Sequence, residues 1–322
     1  MIAAAASLAS PLRLLAGATG VALALLALGA VAPKWLLFLT TMAFSHGLAV
    51  LGIFVLMRGG GASFGQGMFF AIGAYVAALA PQALGVTDGL VRIGVGTVAA
   101  ALIAGLIAPL LAHYRGIFYA MLTLALSMVL FGVLSKLSIV GGSDGITVAK
   151  ATLAGQALGG ERSDFILYAL TVVLGVAAAW GVTVYNRSAA GLVAQAVRGN
   201  SLRVEYLGAS ANASLSISFT ICGALGGLGG AITALVLGHV EPNFSNWTTS
   251  GEFVFVAVLA GHHSVAAVFV AALALEIVRS FSNLYFPNTW QLALGAFLLL
   301  VILFRPEGIG SLWAGRRKVP AR

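Results

Sequence analysis

Long apolar runs, separated by short polar stretches, follow one another along almost the whole chain. Runs of about 20 residues without alternation are typical of helices that cross roughly 30 Å of hydrocarbon, not of membrane β-strands. Unpaired backbone groups are costly in lipid, so the spanning segments are expected to be helices. The pattern predicts ten segments, at about 12–31, 35–57, 63–80, 90–112, 116–138, 164–184, 212–238, 250–261, 264–281 and 288–304.

Composition agrees with this pattern. The chain has 322 residues, of which 60% are hydrophobic and 8% charged, whereas about 25% of residues are charged in a typical soluble domain. The fold class that we predict is an all-α, polytopic membrane protein with about 10 transmembrane or partly spanning helices. We expect residues 1–322 to form a single membrane domain. The N-terminal run at 12–31 could also be a cleaved signal peptide, but it is long for one, and we favour a retained helix.

Basic residues indicate the orientation, because Lys and Arg accumulate on the cytoplasmic side. An N-in, C-in arrangement places eleven of the 17 basic residues in the cytoplasm: Arg13, Arg58, Arg115, Arg187, Arg198, Arg203, Arg305, Arg316, Arg317, Lys318 and Arg322. It also places a loop at about 186–211 and a basic tail at about 305–322 in the cytoplasm. The formal charge of +8 is then expected to face membrane lipid and not nucleic acid.

Two glycine-rich stretches are candidates for a translocation path. In "GGGASFGQGMFFAIGAYVAALA" (59–80), three glycines end one helix, and Ser63 with Gln66 fits a capping box for the next. The small residues there indicate either tight helix packing or a helix start whose N–H groups face a solute. In "IVGGSDGI" (139–146), Asp144 fits either a turn at the outer membrane exit or a group that receives solute. The candidate path residues are Ser63, Phe64, Gly65, Gln66, Thr123, Gly142, Ser143 and Asp144.

Charged residues cluster in the middle of the chain, in "RGNSLRVEYLG" (198–208). Val193, Val197, Val204 and Leu207 recur there with roughly helical spacing, which predicts a short amphipathic helix on the cytoplasmic face. Gly199 with Asn200 is expected to interrupt this helix, and Gly208 to end it. A merely solvated loop is the alternative.

Several absences limit the chemistry. No lysine directly follows a glycine, so the chain has no P-loop, and it contains no H-E-x-x-H. We therefore expect no enzymatic activity and no cofactor in this chain. His262 and His263 are adjacent and lack the spacing of metal ligands, so no metal site is expected. Glu276 and Arg279 are three residues apart on one predicted helix and are expected to neutralise each other. Glu252 lies near a predicted membrane boundary and needs no special role.

Four stretches resemble a known family in the order in which they occur. They are "SFGQGMFFAIGAYVAAL", "YAMLTLALSMVLFGVLSKLSIVGGSDGI", "AVRGNSLRVEYLGASANASLSISFTICGALGGLGGAITAL" and "LFRPEGIGS". Together they resemble the LivM-type permease subunit of branched-chain amino acid ABC importers, over residues 35–312. The resemblance implies a multi-pass permease of the bacterial inner membrane. Its implied partners are a LivH-like second permease, a periplasmic solute-binding protein and two cytoplasmic ATPases, which bind ATP and Mg.

The resemblance also implies where the ATPase docks. In the family this is the polar loop after the sixth helix, and the candidate docking residues here are Arg198, Asn200, Arg203, Glu205, Leu207 and Gly208. The chain departs from the family at Gly199, where an acidic residue is usual, at Ser201, where proline is usual, and at 260–272, a stretch that contains His262 and His263.

The expected solute is a branched-chain or other amino acid, although similar permeases carry urea, amides or aromatic carboxylates. A self-sufficient secondary transporter or channel is the alternative function. It would need ionisable residues within helices to bind a coupling ion, and the candidates are Glu276, Arg279 and Asp144.

Overall fold

A computed structural model describes residues 11–153, 156–157, 161–261, 264–285, 287, 289–304 and 308–312. Its helices are α1 (Pro11–Val31), α2 (Lys34–Arg58), α3 (Gln66–Leu84), α4 (Gly89–Leu111), α5 (Gly116–Lys136), α6 (Glu161–Arg187), α7 (Ala189–Gly199), α8 (Ser201–Tyr206), α9 (Ala211–Leu237), α10 (Trp247–Ala260), α11 (Val265–Tyr285) and α12 (Trp290–Phe304). The ten predicted segments correspond to α1–α6 and α9–α12, and α7 and α8 occupy the predicted cytoplasmic loop.

The all-α polytopic fold is confirmed. By length and composition, seven helices of the described part of the chain can cross a membrane: α2, α3, α4, α5, α9, α11 and residues 163–187 of α6. The N-in, C-in orientation stays a prediction. His262, His263 and most of the basic tail (305–307 and 313–322) lie outside the described residues.

Helix α9 lies at the centre of the bundle and packs against α2, α3 and α4. A Cβ atom added at Gly73 of α3 would overlap the backbone of Gly227 in α9, and one at Gly229 would lie 2.5 Å from the carbonyl oxygen of Ser45 in α2. Ser45 Oγ donates a hydrogen bond of 2.7 Å to that Gly229 carbonyl. Small residues thus let the backbones approach closely, so the tight-packing interpretation of the glycines is confirmed.

Short β-ladders connect the helices at the end of the bundle where α5 terminates. Strand β1 (Ile146–Thr147) pairs antiparallel with β4 (His239–Val240), and β2 (Thr152–Leu153) pairs with β3 (Gln156–Ala157). The hydrophobic pattern did not predict these strands, because two-residue strands have no measurable period. Next to them, the fully buried Arg92 of α4 donates to the carbonyls of Ala77 and Ala149, at 2.8 Å each.

Candidate functional site

Helix α3 begins inside the membrane part of the bundle and not at its surface. Helix α2 ends at Arg58, and the chain then turns back through residues 59–65 before α3 starts at Gln66. The Gln66 side chain donates to the carbonyl of Ala49, at 2.8 Å. Ala49 lies nine residues before Arg58, which is about 14 Å along a helix. The stretch 61–65 is therefore non-helical backbone at membrane depth, where its polar groups need partners within the protein.

Hydroxyl groups of neighbouring helices supply these partners. The Phe64 N–H donates to Thr123 Oγ1 of α5 at 3.1 Å, and the Gly67 N–H donates to Ser250 Oγ of α10 at 3.0 Å. The Gly65 N–H donates to Ser63 Oγ at 3.1 Å. The start of α3 is thereby joined to two other helices.

The predicted capping box is wrong. Gly65, not Ser63, is the N-cap residue of α3, and no side chain caps the helix. The Gln66 side chain does not reach back to the N-cap, because it is occupied elsewhere: Nε2 also donates to the Cys222 carbonyl at 3.1 Å, and Cys222 Sγ donates to Oε1 at 2.9 Å. Gln66 thus connects α2, α3 and α9, and its amide is committed to these helices.

Helix α10 begins at the same place as α3. Asn246 caps α10, its Oδ1 accepting from the Thr248 N–H at 3.2 Å. In α5, Ser127 Oγ donates to the Ser245 carbonyl at 2.7 Å and lies 3.5 Å from Ser250 Oγ. The 14 residues of α10 extend about 21 Å, so this helix is too short to cross the bilayer upright.

The N-termini of α3 and α10 therefore meet against the Thr123 to Ser127 face of α5. We call this place the broken-helix junction and define it by residues 63–67, Thr123, Ser127 and 245–250. Sequence reasoning placed Ser63, Phe64, Gly65, Gln66 and Thr123 in the path but did not name Ser245 or Ser250. The short apolar run at 250–261 was the only signal for them.

The other predicted path residues lie at the far end of α5. Gly142, Ser143 and Asp144 form a 3₁₀ turn beyond Lys136, which is thirteen residues or about 20 Å along the helix from Thr123. Ser143 and Asp144 are exposed, and Ser143 Oγ donates to Asp144 Oδ1 at 3.1 Å. This turn lies far from Thr123 but contacts residues 242–245, which lead into the broken-helix junction, and its role in the path stays a prediction.

The predicted docking loop folds into two helices with a bend, which we call the α7–α8 elbow (residues 189–208). Helix α7 ends at Gly199, and Asn200 Oδ1 caps α8 by accepting from the Arg203 N–H at 2.9 Å. Gly208 has a left-handed φ of 87°. The predicted interruption at Gly199 and Asn200 and the predicted end at Gly208 are confirmed.

One part of the amphipathic interpretation is wrong. Val197 and Val204 are buried, but Leu207 is 82% exposed because it caps α8 and has left the helical register. Leu202 and Tyr206, which sequence reasoning did not name, are 63% and 89% exposed. These three side chains form an exposed apolar patch, and the exposed Arg198, Arg203 and Glu205 lie in the same elbow.

The elbow touches the turn that leads into the broken-helix junction. Gly60 has a φ of 83°, and a Cβ atom there would lie 3.1 Å from the Cα atom of Arg198. Arg58 Nη2 also donates to Gln195 Oε1 of α7, at 3.5 Å. The elbow and residues 58–60 are therefore in direct contact.

A third polar group lies between α2, α10 and α11. Arg279 bonds to Glu252, and its Nη1 is 3.8 Å from Glu276 Oε2. Glu276 Oε2 is closer to His46 Nδ1, at 3.1 Å. The predicted pairing of Glu276 with Arg279 at i, i+3 is thus confirmed, and helix packing adds a nearer partner to each residue that the sequence did not indicate.

Comparison with known proteins gives the class of this membrane protein. Residues 35–303 match the family model described as "Branched-chain amino acid transport system / permease component", and the chain belongs to that family. It is a multi-pass protein of the bacterial inner membrane, as the resemblance of its motifs predicted. No solved structure matches the chain significantly.

Two curated relatives carry the name "High-affinity branched-chain amino acid transport system permease protein LivM". They come from Salmonella typhimurium (strain LT2) and Escherichia coli (strain K12), and each is 29% identical to this chain over 269 residues, or 76% of the chain. The match covers 62% of each relative's length. The chain therefore spans less than two thirds of these relatives.

Proposed function

We propose that this chain is the permease subunit of an ATP-binding-cassette importer and forms half of a translocation path for a small polar solute. In this proposal a LivH-like permease forms the other half. Two cytoplasmic ATPases bind ATP and Mg, and a periplasmic binding protein delivers the solute. The observation that carries the proposal is the direct contact between the exposed elbow and the turn that leads into the broken-helix junction.

The junction favours a solute with a carboxylate group. Two helix N-termini point to the same place, and the positive ends of helix dipoles stabilise an anionic group, as in other transporters built from broken helices. The hydroxyls of Thr123, Ser127 and Ser250 add short-range donors once their present bonds open. Amino acids, including the branched-chain ones that the relatives' names mention, and aromatic carboxylates fit this chemistry. Urea and amides have no carboxylate.

The elbow has the surface expected of a docking site for an ATPase. Leu202, Tyr206 and Leu207 project apolar surface beside charged groups, and buried apolar anchors with a polar rim are typical of stable interfaces. Arg198, Arg203 and Glu205 form the rim in this proposal. Asn200 and Gly208 act by shaping the elbow.

The test is isolation of the tagged chain from native membranes in mild detergent. We expect the wild type to bring down ATPase subunits, a second permease and measurable ATPase activity. Leu207→Glu and Tyr206→Glu should each remove the ATPases without loss of the folded permease, because a charge at the centre of an apolar contact is not compensated. Leu84→Glu is the matched control, since Leu84 is 60% exposed and lies at the opposite end of α3 from the turn.

Copurification of ATPases with both elbow variants at the wild-type level would refute the docking assignment. Uptake by the chain alone in proteoliposomes without ATP would refute the importer proposal as a whole. That outcome would instead support a self-sufficient secondary transporter, which the ionisable residues between α2, α10 and α11 favour.

A further inference from the structure

A cavity of about 350 Å³ lies between the elbow, the turn after α2 and the start of α5. We call it the elbow cavity and define it by residues 59–61, 114–116, Tyr119, 197–202 and Leu215. It lies at the end of the bundle that is predicted to face the cytoplasm. Sites for small molecules begin at about 300 Å³, so the elbow cavity is large enough for a small organic solute.

Positive charge dominates the elbow cavity. Arg115 and Arg198 line it, and Arg58 lies near enough for its charge to repel that of Arg198. Arg115 donates to Asn212 Oδ1 at 2.6 Å and to the Tyr114 carbonyl at 3.1 Å. Within the part of the chain that the structure describes, the Arg198 guanidinium donates no hydrogen bond, and no carboxylate pairs with these three arginines. A cavity lined by charges of one sign attracts ligands of the opposite sign.

The cavity also has a hydroxyl group that lacks a partner. Tyr119 of α5 lines the cavity and is 1% exposed, and among the described residues its Oη has no hydrogen-bond partner. A buried tyrosine hydroxyl usually has a partner, because an unsatisfied polar group is costly. The ring packs edge-on against Phe219, with 6.1 Å between the ring centroids. A ligand with an acceptor atom would supply the partner that the hydroxyl lacks.

The other walls of the cavity suit an apolar group. Val197 and Leu215 are buried side chains of the lining, and the exposed side chains of Tyr114 and Leu202 add further apolar surface. Inorganic phosphate would use only the charged part of such a cavity. An organic carboxylate uses both parts, because it combines an anionic group with an apolar body.

Helix α5 joins the elbow cavity to the broken-helix junction. Tyr119, Thr123 and Ser127 follow one another at intervals of four residues and are all buried, so they lie on the same face of the helix. Four residues extend about 6 Å along a helix, so Tyr119 lies one turn from the junction. A solute that leaves the junction toward the elbow therefore reaches this cavity next.

We infer that the elbow cavity is a second binding site of the permease, which holds a small organic carboxylate on the predicted cytoplasmic side of the junction. Arg198 and Arg115 bind the carboxylate group, and Tyr119 Oη donates to one of its oxygens. Val197 and Leu215 contact the apolar body. The inference rests on the proposed function, because it treats the cavity as the place from which the solute leaves the path.

The test is equilibrium binding of radiolabelled isovalerate to the full chain, purified in detergent. Isovalerate carries a carboxylate group and a branched apolar body, and isovaleramide has nearly the same shape without the charge. We expect isovalerate to bind and isovaleramide to compete about tenfold more weakly, because hydrogen bonds to an ionised group are stronger than neutral ones. Inorganic phosphate and phosphatidylglycerol are the competitors that test a phosphate group as the ligand.

Three variants locate the bound carboxylate. Arg198→Gln should weaken isovalerate binding about tenfold, and Tyr119→Phe about fivefold, because each removes one donor to the carboxylate. Tyr119→Phe should keep the wild-type melting temperature, since its hydroxyl has no partner in the folded chain. Arg187→Gln is the matched control, because Arg187 is an exposed arginine next to the elbow that does not line the cavity, and it should bind isovalerate as the wild type does.

Absence of isovalerate binding, or equal affinity of Arg198→Gln and the wild type, would overturn the inference. Equal competition by isovaleramide would also overturn it, as would stronger displacement by phosphate or phosphatidylglycerol than by unlabelled isovalerate. Affinity that falls in Ser250→Ala but not in Arg198→Gln would place the carboxylate at the junction instead. All these outcomes leave ATPase copurification unaffected, so failure of this inference is distinguishable from failure of the importer proposal.

Discussion

Replacement of Gln66 tests whether the start of α3 is fixed by hydrogen bonds inside the membrane. In Gln66→Glu, a carboxylate oxygen takes the place of the amide Nε2, which donates to the carbonyls of Ala49 and Cys222 at 2.8 and 3.1 Å. The two hydrogen bonds that Nε2 donates are then lost. The new carboxylate oxygen lies beside two carbonyl oxygens, and all three atoms are acceptors. In Gln66→Leu these two bonds are lost, together with the weak bond that Cys222 Sγ donates to Oε1, but no new polar group is buried.

The expected magnitudes follow from these contacts. Each net hydrogen bond contributes about 1 kcal/mol, so Gln66→Leu should lower the free energy of unfolding by roughly 2 kcal/mol. Burial of an unsatisfied polar group adds a comparable penalty, so Gln66→Glu should cost roughly 4 kcal/mol, or about 10 °C in melting temperature. The cost should decrease at low pH, because a protonated carboxyl group can donate one bond.

The chain contains its own reporter for this experiment. Cys222 is the single cysteine of the sequence, and it is fully buried. A thiol-reactive fluorophore that labels Cys222 only on unfolding therefore gives melting curves for the wild type and both variants. Equal melting temperatures for Gln66→Glu and Gln66→Leu at all pH values would refute the placement of Nε2 between two carbonyl oxygens.

Two further predictions concern packing. Gly73→Ala should markedly lower the yield and melting temperature of the folded chain, because its Cβ would overlap the Gly227 backbone. Gly132→Ala, with no atom within 4 Å of the added Cβ, should be neutral, and equal effects of the two would contradict the close packing of α3 on α9. Arg92→Lys should increase proteolysis between α5 and α6, because lysine lacks the forked donors that hold two carbonyls. Unchanged cleavage would show that the hydrogen bonds of Arg92 to these carbonyls do not hold the segment between α5 and α6.

Much of the fold was readable from the sequence because a bilayer imposes a local requirement. Each spanning segment must be apolar over about 20 residues whatever its neighbours are, so the ten predicted segments agree with the observed helices to within a few residues. The elbow was equally local: Gly199 and Asn200 interrupt it and Gly208 ends it through backbone preferences that do not depend on tertiary contacts. Leu207 was misplaced because periodicity does not show where a helix cap leaves the register.

The sequence by itself determined the class of the protein, its helical segments and the position of the elbow. Only the tertiary structure decided the depth at which α3 begins and the partners of its polar residues. Gln66 and Cys222 are 156 residues apart, and His46 and Glu276 are 230 apart. Such contacts have no local signature, because hydrophobicity sets which segments enter the membrane, while close packing of glycine-rich helix faces sets which polar groups meet there.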